Sequence, residues 1–313
     1  MTEKEVQFGK SNQIFGTLTY PETSPIALPA ILLVAGSGPI DRNGNGKGKG
    51  QLFHLYDKLA AFLTDQGFIT LRYDKRGIGK SEGVFGKTGF WDLVHDAKAA
   101  IHYLKQQPIV DRNKIFLLGH SEGCLLAPEI EKGEDLAGLV LIAGAGQTLE
   151  EALGYQRGLV VRSLQEQRGV KGMLLSLLKV AKKAEKQGVK FDEKVRSSKK
   201  DVIRYQGAKI PAKWFREHYQ YNVLSGLSQV TCPILAVTGS KDVQATPEKV
   251  HEITSYTNVD TETRIIVGMN HMLRDQADDA QILQIKKAYK NIGEKPLSPA
   301  FLEVLKKWLN RHV

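Results

Sequence analysis

Three short motifs supply a serine, a carboxylate and a histidine, the side-chain types that together can perform nucleophilic catalysis at a carbonyl carbon. They are Gly119-His-Ser-Glu-Gly123, Gly239-Ser-Lys-Asp242 and Asn270-His271. A serine hydroxyl needs a base to remove its proton, and an ordinary histidine, with a pKa near ~6.5, can do so at neutral pH. A carboxylate beside that histidine would fix its tautomer and stabilise the imidazolium that forms. The motifs therefore predict Ser121, Asp242 and His271 as a catalytic set.

The residues around the serine have the pattern that this chemistry requires. Lys114–Leu118 is predicted to be a short buried strand, and a helix is predicted from Cys124 onward. A G-x-S-x-G motif between a strand and a helix holds its serine at a strained backbone position, so that the residues two before and two after it must lack colliding side chains. Such a turn would present the Ser121 hydroxyl above the edge of a sheet.

Asp242 and His271 each follow a predicted strand, Cys232–Thr238 and Thr263–Val267 respectively. Loops after parallel strands meet at the carboxyl edge of a sheet, where Ser121 is also expected. The chain order Ser, Asp, His is that of one of the three unrelated arrangements of this triad. Taken alone, a strand-end aspartate is more often a helix cap, and a lone histidine is more often a packed or surface residue. His120, beside the serine, is expected to point away from the serine hydroxyl. In all, seven other histidines are available as the base: His54, His95, His102, His120, His218, His251 and His312.

A glycine-rich segment, Ala35–Gly50, follows the apolar strand predicted at Ala30–Val34. Glycines let backbone amides point into a site without steric cost, so one interpretation is an oxyanion-binding loop with the N–H of Ser37 as a donor. A phosphate cradle is the alternative, but the P-loop spacing and its Gly-Lys-Ser/Thr end are missing. Residues 43–50 are predicted to be a surface loop. Asp41 and Arg42 are predicted to support the loop through a local ion pair rather than to act in catalysis.

The rest of the chain alternates strands with helices, which is typical of a parallel sheet with right-handed crossovers. A hairpin is predicted at the amino end, and Pro128 is expected to kink or shorten the helix after Ser121. The remaining predicted elements are the strands Phe68–Tyr73 and Leu136–Ala143 and the helices Leu52–Gln66 and Phe90–Gln107.

The alternation stops at Gly144-Ala-Gly146, and Leu149 to about Ser225 has a helical pattern with no convincing strand. We interpret this segment as a helical insertion. The predicted organisation is a first part of an α/β core at residues 1–146, a helical cap insertion at 147–228 and a second part of the core at 229–313.

Composition restricts the class of protein further. The chain has 313 residues, 42% hydrophobic and 25% charged, with only two cysteines. These values are typical of a globular protein in a reducing cytoplasm. The amino end has no apolar signal segment, and no apolar run approaches the ~18 residues of a membrane span, so no membrane association is expected.

The net charge of +10 is concentrated in one place, because Leu149–Ser225 holds 17 Lys and Arg against 8 Asp and Glu. A solvated helical face is the plainest interpretation, and attraction of an anionic substrate is the alternative. No recognised nucleic-acid module accompanies the charge, so nucleic-acid binding is not expected.

The motifs in this order resemble those of the α/β-hydrolase superfamily. Gly36-Ser-Gly-Pro-Ile-Asp-Arg-Asn-Gly44 resembles the oxyanion loop of bacterial carboxylesterases with a helical cap, close to the acyl-peptidase-like serine hydrolases. The resemblance implies Ser121 as nucleophile, His271 as base and Asp242 as acid, with oxyanion donors from the N–H groups of Ser37 and Glu122. One departure is Ala35, which stands where the family usually has a histidine and leaves open what supports the loop.

The expected function is therefore that of a cytoplasmic serine hydrolase that cleaves carboxylic esters through an acyl-enzyme. Its substrate is expected to be a small ester, with an anionic group as one option, and no metal or organic cofactor is required. A peptidase or an acyltransferase could use the same triad, and a non-catalytic ligand-binding protein could keep the fold. Dehalogenase or epoxide-hydrolase chemistry needs a carboxylate nucleophile, and Ser121 occupies that position.

Overall fold

The computed structural model describes residues 1–313 except 11, 23–26, 49–50, 170–172, 175–176 and 280. Its strands are β1 (Thr2–Phe8), β2 (Ile14–Tyr20), β3 (Leu28–Val34), β4 (Ile69–Tyr73), β5 (Val110–His120), β6 (Gly138–Ile142), β7 (Ile203–Tyr205), β8 (Ala208–Ile210), β9 (Ile234–Gly239) and β10 (Thr261–Ile266). Eight of them form one sheet in the order β1-β2-β4-β3-β5-β6-β9-β10. The pairs β1–β2 and β2–β4 are antiparallel, and every pair from β4 to β10 is parallel.

The central strands are apolar on both faces because helices cover both sides of the sheet. Along β3, Leu32 and Val34 face one core while Ile31 and Leu33 face the other. The described α-helices are α1 (Tyr56–Asp65), α2 (Phe90–Lys105), α3 (Glu122–Glu131), α4 (Leu149–Gln165), α5 (Val180–Ser197), α6 (Ala212–Gln220), α7 (Val223–Leu227), α8 (Lys249–Glu252), α9 (Ile285–Ala288) and α10 (Pro299–His312). α2 and α3 pack on one face of the sheet, and α1 and α10 pack on the other. The protein is therefore an α/β structure with a mostly parallel central sheet, as predicted.

The first predicted helix begins later than expected. The sequence pattern placed its start at Leu52, whereas α1 starts at Tyr56. The residues between have another conformation because distant groups hold their backbone: the guanidinium of Arg274 donates to the carbonyl oxygens of Phe53 and His54 at 2.9 and 3.0 Å. His54 also has a positive φ of 45°, which ends any helical continuation there.

The segment between β6 and β9 contains α4, α5, α6 and α7, but the prediction that it has no strand is wrong. β7 and β8 form a small antiparallel hairpin in it. The two turn residues, Gln206 and Gly207, both have positive φ, at 48° and 82°, which suits a tight two-residue hairpin turn. The strands have only three residues each, too few for an alternating pattern to stand out in the sequence.

Pro128 lies inside α3, which ends three residues later at Glu131. Among the helices of the described residues, none is both long and apolar enough to span a bilayer.

Candidate active site

Ser121 lies between β5 and α3 in a strained conformation, with φ 53° and ψ −111°. The neighbouring glycines explain how the turn closes. A Cβ on Gly119 would lie 2.5 Å from the carbonyl oxygen of Gly123, and a Cβ on Gly123 would lie 2.5 Å from the carbonyl oxygen of Val34. Because β3 and α3 approach each other this closely, only glycine fits, and the Ser121 hydroxyl lies at the carboxyl edge of the sheet.

Asp242, His271 and Ser121 form one continuous series of hydrogen bonds. The Oδ2 of Asp242 is 2.8 Å from Nδ1 of His271, and Nε2 of His271 is 3.2 Å from Oγ of Ser121. The other carboxylate oxygen of Asp242 accepts the backbone N–H groups of Gln244 and Ala245 at 2.7 and 2.9 Å. Since Asp242 and His271 are both buried, water does not compete for these contacts. The arrangement can remove a proton from the serine hydroxyl and stabilise the resulting imidazolium.

The loop that carries His271 is held by Asn270 and Arg274, a role that the sequence did not predict for either residue. The side-chain oxygen of Asn270 accepts the N–H groups of Met272 and Arg274 at 3.0 and 3.2 Å. The fully buried Arg274 donates to the carbonyl of Met272 at 2.7 Å and to the loop before α1. Burial lowers the pKa of Arg274 to about 10, so its guanidinium is charged at neutral pH.

A relay of hydrogen bonds links the loop of Ser37 to the loop of His271. The N–H of Gly36 donates to the hydroxyl of Tyr56 at 2.7 Å, and that hydroxyl lies 3.0 Å from Nδ1 of His120. The Nε2 of His120 lies 3.0 Å from the carbonyl oxygen of His271. His120 thus points away from the Ser121 hydroxyl, as the sequence analysis expected. Tyr56 and His120 give the loop support that Ala35, lacking a polar side chain, cannot give.

Asp41 and Arg42 both hold the glycine-rich loop, but the predicted ion pair between them is wrong. The guanidinium of Arg42 pairs with Asp74 at 2.7 Å and donates to the carbonyl of Gly16 at 2.6 Å. The carboxylate of Asp41 accepts the N–H groups of residues 43 and 45 at 2.9 and 2.8 Å. Arg42 prefers Asp74 because that buried carboxylate accepts two guanidinium N–H groups at Oδ2 and the backbone N–H of Arg42 at Oδ1.

A buried ion pair lies directly under the loop. The ammonium of Lys75 is 2.8 Å from Oε2 of Glu122 and also donates to the carbonyl oxygen of Gly36. The other oxygen of Glu122 accepts the indole N–H of Trp214, and Nε2 of His218 lies 3.2 Å from it. The sequence signal for Lys75 was its position just after a buried strand, at the same sheet edge as the serine.

Two clefts meet at Ser121. The larger, about 780 Å³, is bounded by the loop before α1 and by the segment around α9, and the smaller, about 270 Å³, lies between the core and the β6–β9 segment. Ser37, Ser121 and Gln244 line both. The smaller cleft is lined on its outer side by Leu149, Leu153, Trp214 and Phe215. An extended molecule could therefore place one end in each cleft with its middle at the serine.

The sheet order, the strand–turn–helix at Ser121 and the carboxyl-edge loops define an α/β-hydrolase. The model of the family described as serine aminopeptidase, S33, matches residues 47–277, which include Ser121, Asp242 and His271. The chain belongs to this family.

Relatives and solved structures agree with this class. The chain is 30% identical over 243 residues to Esterase EstD of Thermotoga maritima, a match that covers 77% of this chain and 53% of EstD. The chain therefore spans about half the length of that relative. Est1E from Butyrivibrio proteoclasticus, solved with bound ferulic acid, superposes with a TM-score of 0.59 at 17% identity, covering 91% of this chain and 96% of that one. The α/β-hydrolase GrgF from Penicillium has a TM-score of 0.61 at 16% identity, covering 100% and 99%.

Proposed function

We propose that this protein is a serine hydrolase that cleaves carboxylic esters. The observation that carries the proposal is the series of hydrogen bonds from Asp242 through His271 to Ser121, at 2.8 and 3.2 Å. In the proposed reaction the Ser121 oxygen attacks the ester carbonyl while His271 takes its proton. The imidazolium then protonates the departing alcohol, leaving an acyl-enzyme. Water, deprotonated by His271, releases the acid and restores the serine.

The tetrahedral oxyanion of each step needs two hydrogen-bond donors. We assign these to the backbone N–H groups of Ser37 and Glu122. Gly36 supports this assignment, since a Cβ at that position would lie 3.1 Å from Cβ of Ser121, so the loop passes directly beside the nucleophile. Glu122 is the first residue of α3, and the first N–H groups of a helix have no partner within it.

The proposal includes a cap formed by residues 147–228. Leu153, Trp214 and Phe215 from this segment form the outer wall of the smaller cleft, whose volume is about 270 Å³. The apolar side chains of this wall suit a short or aromatic acyl group, because apolar surface is removed from water on binding. The alcohol would then lie in the larger cleft. EstD, named as an esterase, supports the reaction class.

We also propose that the substrate carries an anionic group on its alcohol side. Lys286 and Lys290 line the larger cleft, and none of its described lining residues is an aspartate or glutamate. The abundant charge of the cap is located elsewhere, for example on the exposed Lys182 and Lys186 of α5. Charge reversal in the double variant Lys286→Glu/Lys290→Glu should raise KM for a carboxylate-bearing ester and leave KM for its neutral methyl ester nearly unchanged. Equal effects on both esters would contradict this preference.

A serine aminopeptidase is the second candidate, because the matched family model carries that description. Such an enzyme must bind the α-ammonium of its substrate, and an available carboxylate is the charged partner for that group. Glu122 is the one carboxylate among the described residues that line the two clefts, and Lys75 and Trp214 already occupy it. Ester hydrolysis is therefore the better supported function. Release of p-nitroaniline from aminoacyl p-nitroanilides, faster than release of p-nitrophenol from the matched p-nitrophenyl esters, would reverse this order.

The decisive test measures hydrolysis of p-nitrophenyl esters, from acetate to laurate, by the wild type and by Ser121→Ala. We expect the variant to lose on the order of 10³-fold or more in kcat. Ser228→Ala, which changes an exposed serine, is the matched control and should retain full activity. Undiminished hydrolysis by Ser121→Ala would refute the assignment. With no activity in either protein, labelling by a serine-reactive phosphonate would indicate a peptidase or acyltransferase, and no labelling would indicate a binding protein.

A cytoplasmic location is part of the same proposal. Cys124 and Cys232 are both free and both buried. Thiols in this state are compatible with a reducing compartment. Burial raises the pKa of each thiol, so neither competes with Ser121 as a nucleophile at neutral pH.

A further inference from the structure

The ion pair between Lys75 and Glu122 is unusual because both side chains are almost completely removed from water. Their side chains retain 5% and 2% of their exposure, and their charged atoms are 2.8 Å apart. Neither side chain has a role in the proton transfers proposed above. Its position explains what it can do: the Lys75 ammonium touches the loop of one oxyanion donor, and Glu122 carries the other donor on its own backbone.

The contact of Lys75 with the carbonyl oxygen of Gly36 fixes the direction of the Ser37 N–H. The carbonyl of Gly36 and the N–H of Ser37 belong to the same peptide unit, which is planar and trans, so the two groups point in opposite directions. Holding the carbonyl on one side therefore directs the Ser37 N–H to the opposite side, where we place the oxyanion oxygen. A cation on the carbonyl oxygen also polarises the peptide and strengthens its N–H as a donor.

Glu122 keeps Lys75 in place and remains ionised. Burial alone would raise the pKa of Glu122, but the Lys75 ammonium and the hydrogen bond and charge of His218 outweigh it and hold that pKa well below its usual range. The Nδ1 of His218 is 2.8 Å from the carbonyl oxygen of Trp214, while its Nε2 is 3.2 Å from Glu122. Both nitrogens of His218 thus face oxygen atoms, one of Trp214 and one of Glu122, so the ring lies between α6 and this carboxylate.

The same carboxylate also connects the oxyanion loop to the proposed cap. Trp214 and His218 both belong to α6, and Trp214 lines the smaller cleft. The indole N–H and the imidazole reach one oxygen of Glu122, and Lys75 reaches the other. A shift of α6 would thus change the contacts of Glu122 and, through Lys75, the orientation of the Gly36–Ser37 peptide.

We infer that Lys75 and Glu122 are positioning residues that orient the Ser37 N–H toward the oxyanion. Through their contacts with Trp214 and His218, this orientation depends on the position of α6. This inference rests on the proposed ester hydrolysis. It deepens that proposal by assigning a role to a charged pair that the triad does not need. It also means that the wall of the acyl cleft and the oxyanion site are parts of one hydrogen-bonded unit.

The test compares wild type, Lys75→Met and Trp214→Phe. Met keeps the apolar stem of lysine and lacks the ammonium, and Phe keeps an aromatic ring while losing the N–H. We expect Lys75→Met to lower kcat by about 10²–10³-fold, the effect of losing one oxyanion donor, with KM changed only a few-fold. Trp214→Phe should lower kcat by a smaller factor, again with KM changed only a few-fold. Lys80→Met, which removes an exposed ion pair with Glu5, is the matched control and should behave as wild type.

A boronic acid, which becomes tetrahedral when the Ser121 oxygen bonds to its boron, provides a readout that general structural damage would not give. Its affinity for Lys75→Met should fall about as much as kcat/KM, whereas the affinity for the planar product acid should stay near the wild-type value. Wild-type boronate affinity in this variant, or an equal loss for boronate and product, would overturn the inference. Should Lys75→Met not fold, Glu122→Gln, which keeps the shape and an acceptor oxygen, must show the same selective loss of boronate affinity.

The outcome also separates this inference from the proposed function. A wild type that binds boronate at Ser121 but hydrolyses no ester contradicts the proposed function. The comparison of boronate affinities then still decides whether Lys75 orients the Ser37 N–H. A wild type that hydrolyses esters, with Lys75→Met fully active, contradicts the inference alone.

Discussion

Acidification should lower the free energy of unfolding because His120 is held neutral, buried away from water and close to positively charged side chains. Burial, reinforced by the nearby His271, Arg274 and Lys75, lowers the pKa of His120 to about 3. Its ring accepts a hydrogen bond from Tyr56 at Nδ1 and donates from Nε2 to the carbonyl of His271, so a second ring proton would break the relay. In the unfolded chain the same ring would have an ordinary pKa near ~6.5.

The sign and size of the effect follow from these two pKa values. The folded pKa of His120 is depressed, so its contribution to stability is fully present above pH ~6.5 and is lost as the pH falls toward about 3. In this window the unfolded chain binds a proton that the folded protein does not, which costs up to ~1.4 kcal/mol per pH unit. Between pH 7 and pH 5 the loss from this one residue is about 2 kcal/mol.

The assay is chemical denaturation at pH 7 and pH 5, comparing wild type with His120→Gln. Glutamine does not titrate and can still donate to the carbonyl of His271. The fall in unfolding free energy between the two pH values should be about 2 kcal/mol smaller in the variant. His95→Gln, at an exposed position of α2, is the control and should show the wild-type pH dependence. If the unfolding free energies of wild type and His120→Gln had the same pH dependence, the conclusion that His120 is neutral in the folded protein would be refuted.

Three further substitutions test the triad, the turn at Ser121 and a glycine of α4. Asp242→Asn should fold normally and lose on the order of 10⁴-fold in kcat, because an amide favours the wrong tautomer of His271. Activity within tenfold of wild type in the ester assay would contradict the role of the carboxylate. Gly123→Ala should lower the unfolding free energy by about 1–3 kcal/mol or more, since its Cβ would lie 2.5 Å from the carbonyl of Val34. Gly154→Ala, with no atom within 4 Å of the added Cβ in α4, should instead gain up to about 1 kcal/mol in the same denaturation experiment.

The sequence could predict the sheet and the candidate nucleophile because these depend on local signals. The apolar runs of β3, β5, β6 and β9 are continuous, as expected of strands covered on both faces, and Gly119 and Gly123 mark the turn at Ser121. The start of α1 could not be predicted in the same way. It depends on Arg274, which lies 220 residues away from His54 and binds its carbonyl group.

The side-chain contacts around the triad could not be predicted for a related reason. Lys75 and Glu122 are 47 positions apart, and Glu122 and Trp214 are 92 positions apart, so no spacing in the sequence joins them. A lysine in a glycine-rich loop also suggests an exposed side chain, because lysine is almost never fully buried unless it is paired. Arg42 was assigned to its sequence neighbour Asp41, whereas the fold offers it Asp74, a buried carboxylate across the loop.

Stability alone does not account for the pair of Lys75 and Glu122. Removing two charges from water costs several kcal/mol per ion, and replacing a buried pair with apolar residues of similar size is often neutral or stabilising by about 1–4 kcal/mol. Lys75→Met leaves a buried carboxylate with fewer partners and should cost about 3–5 kcal/mol, whereas Lys75→Met/Glu122→Leu should recover most of that loss. Chemical denaturation and the ester assay together give the decisive comparison. If the double variant regains stability but keeps a lowered kcat, the pair serves to orient the Ser37 N–H. If the double variant is less stable than either single variant, the pair instead stabilises the fold.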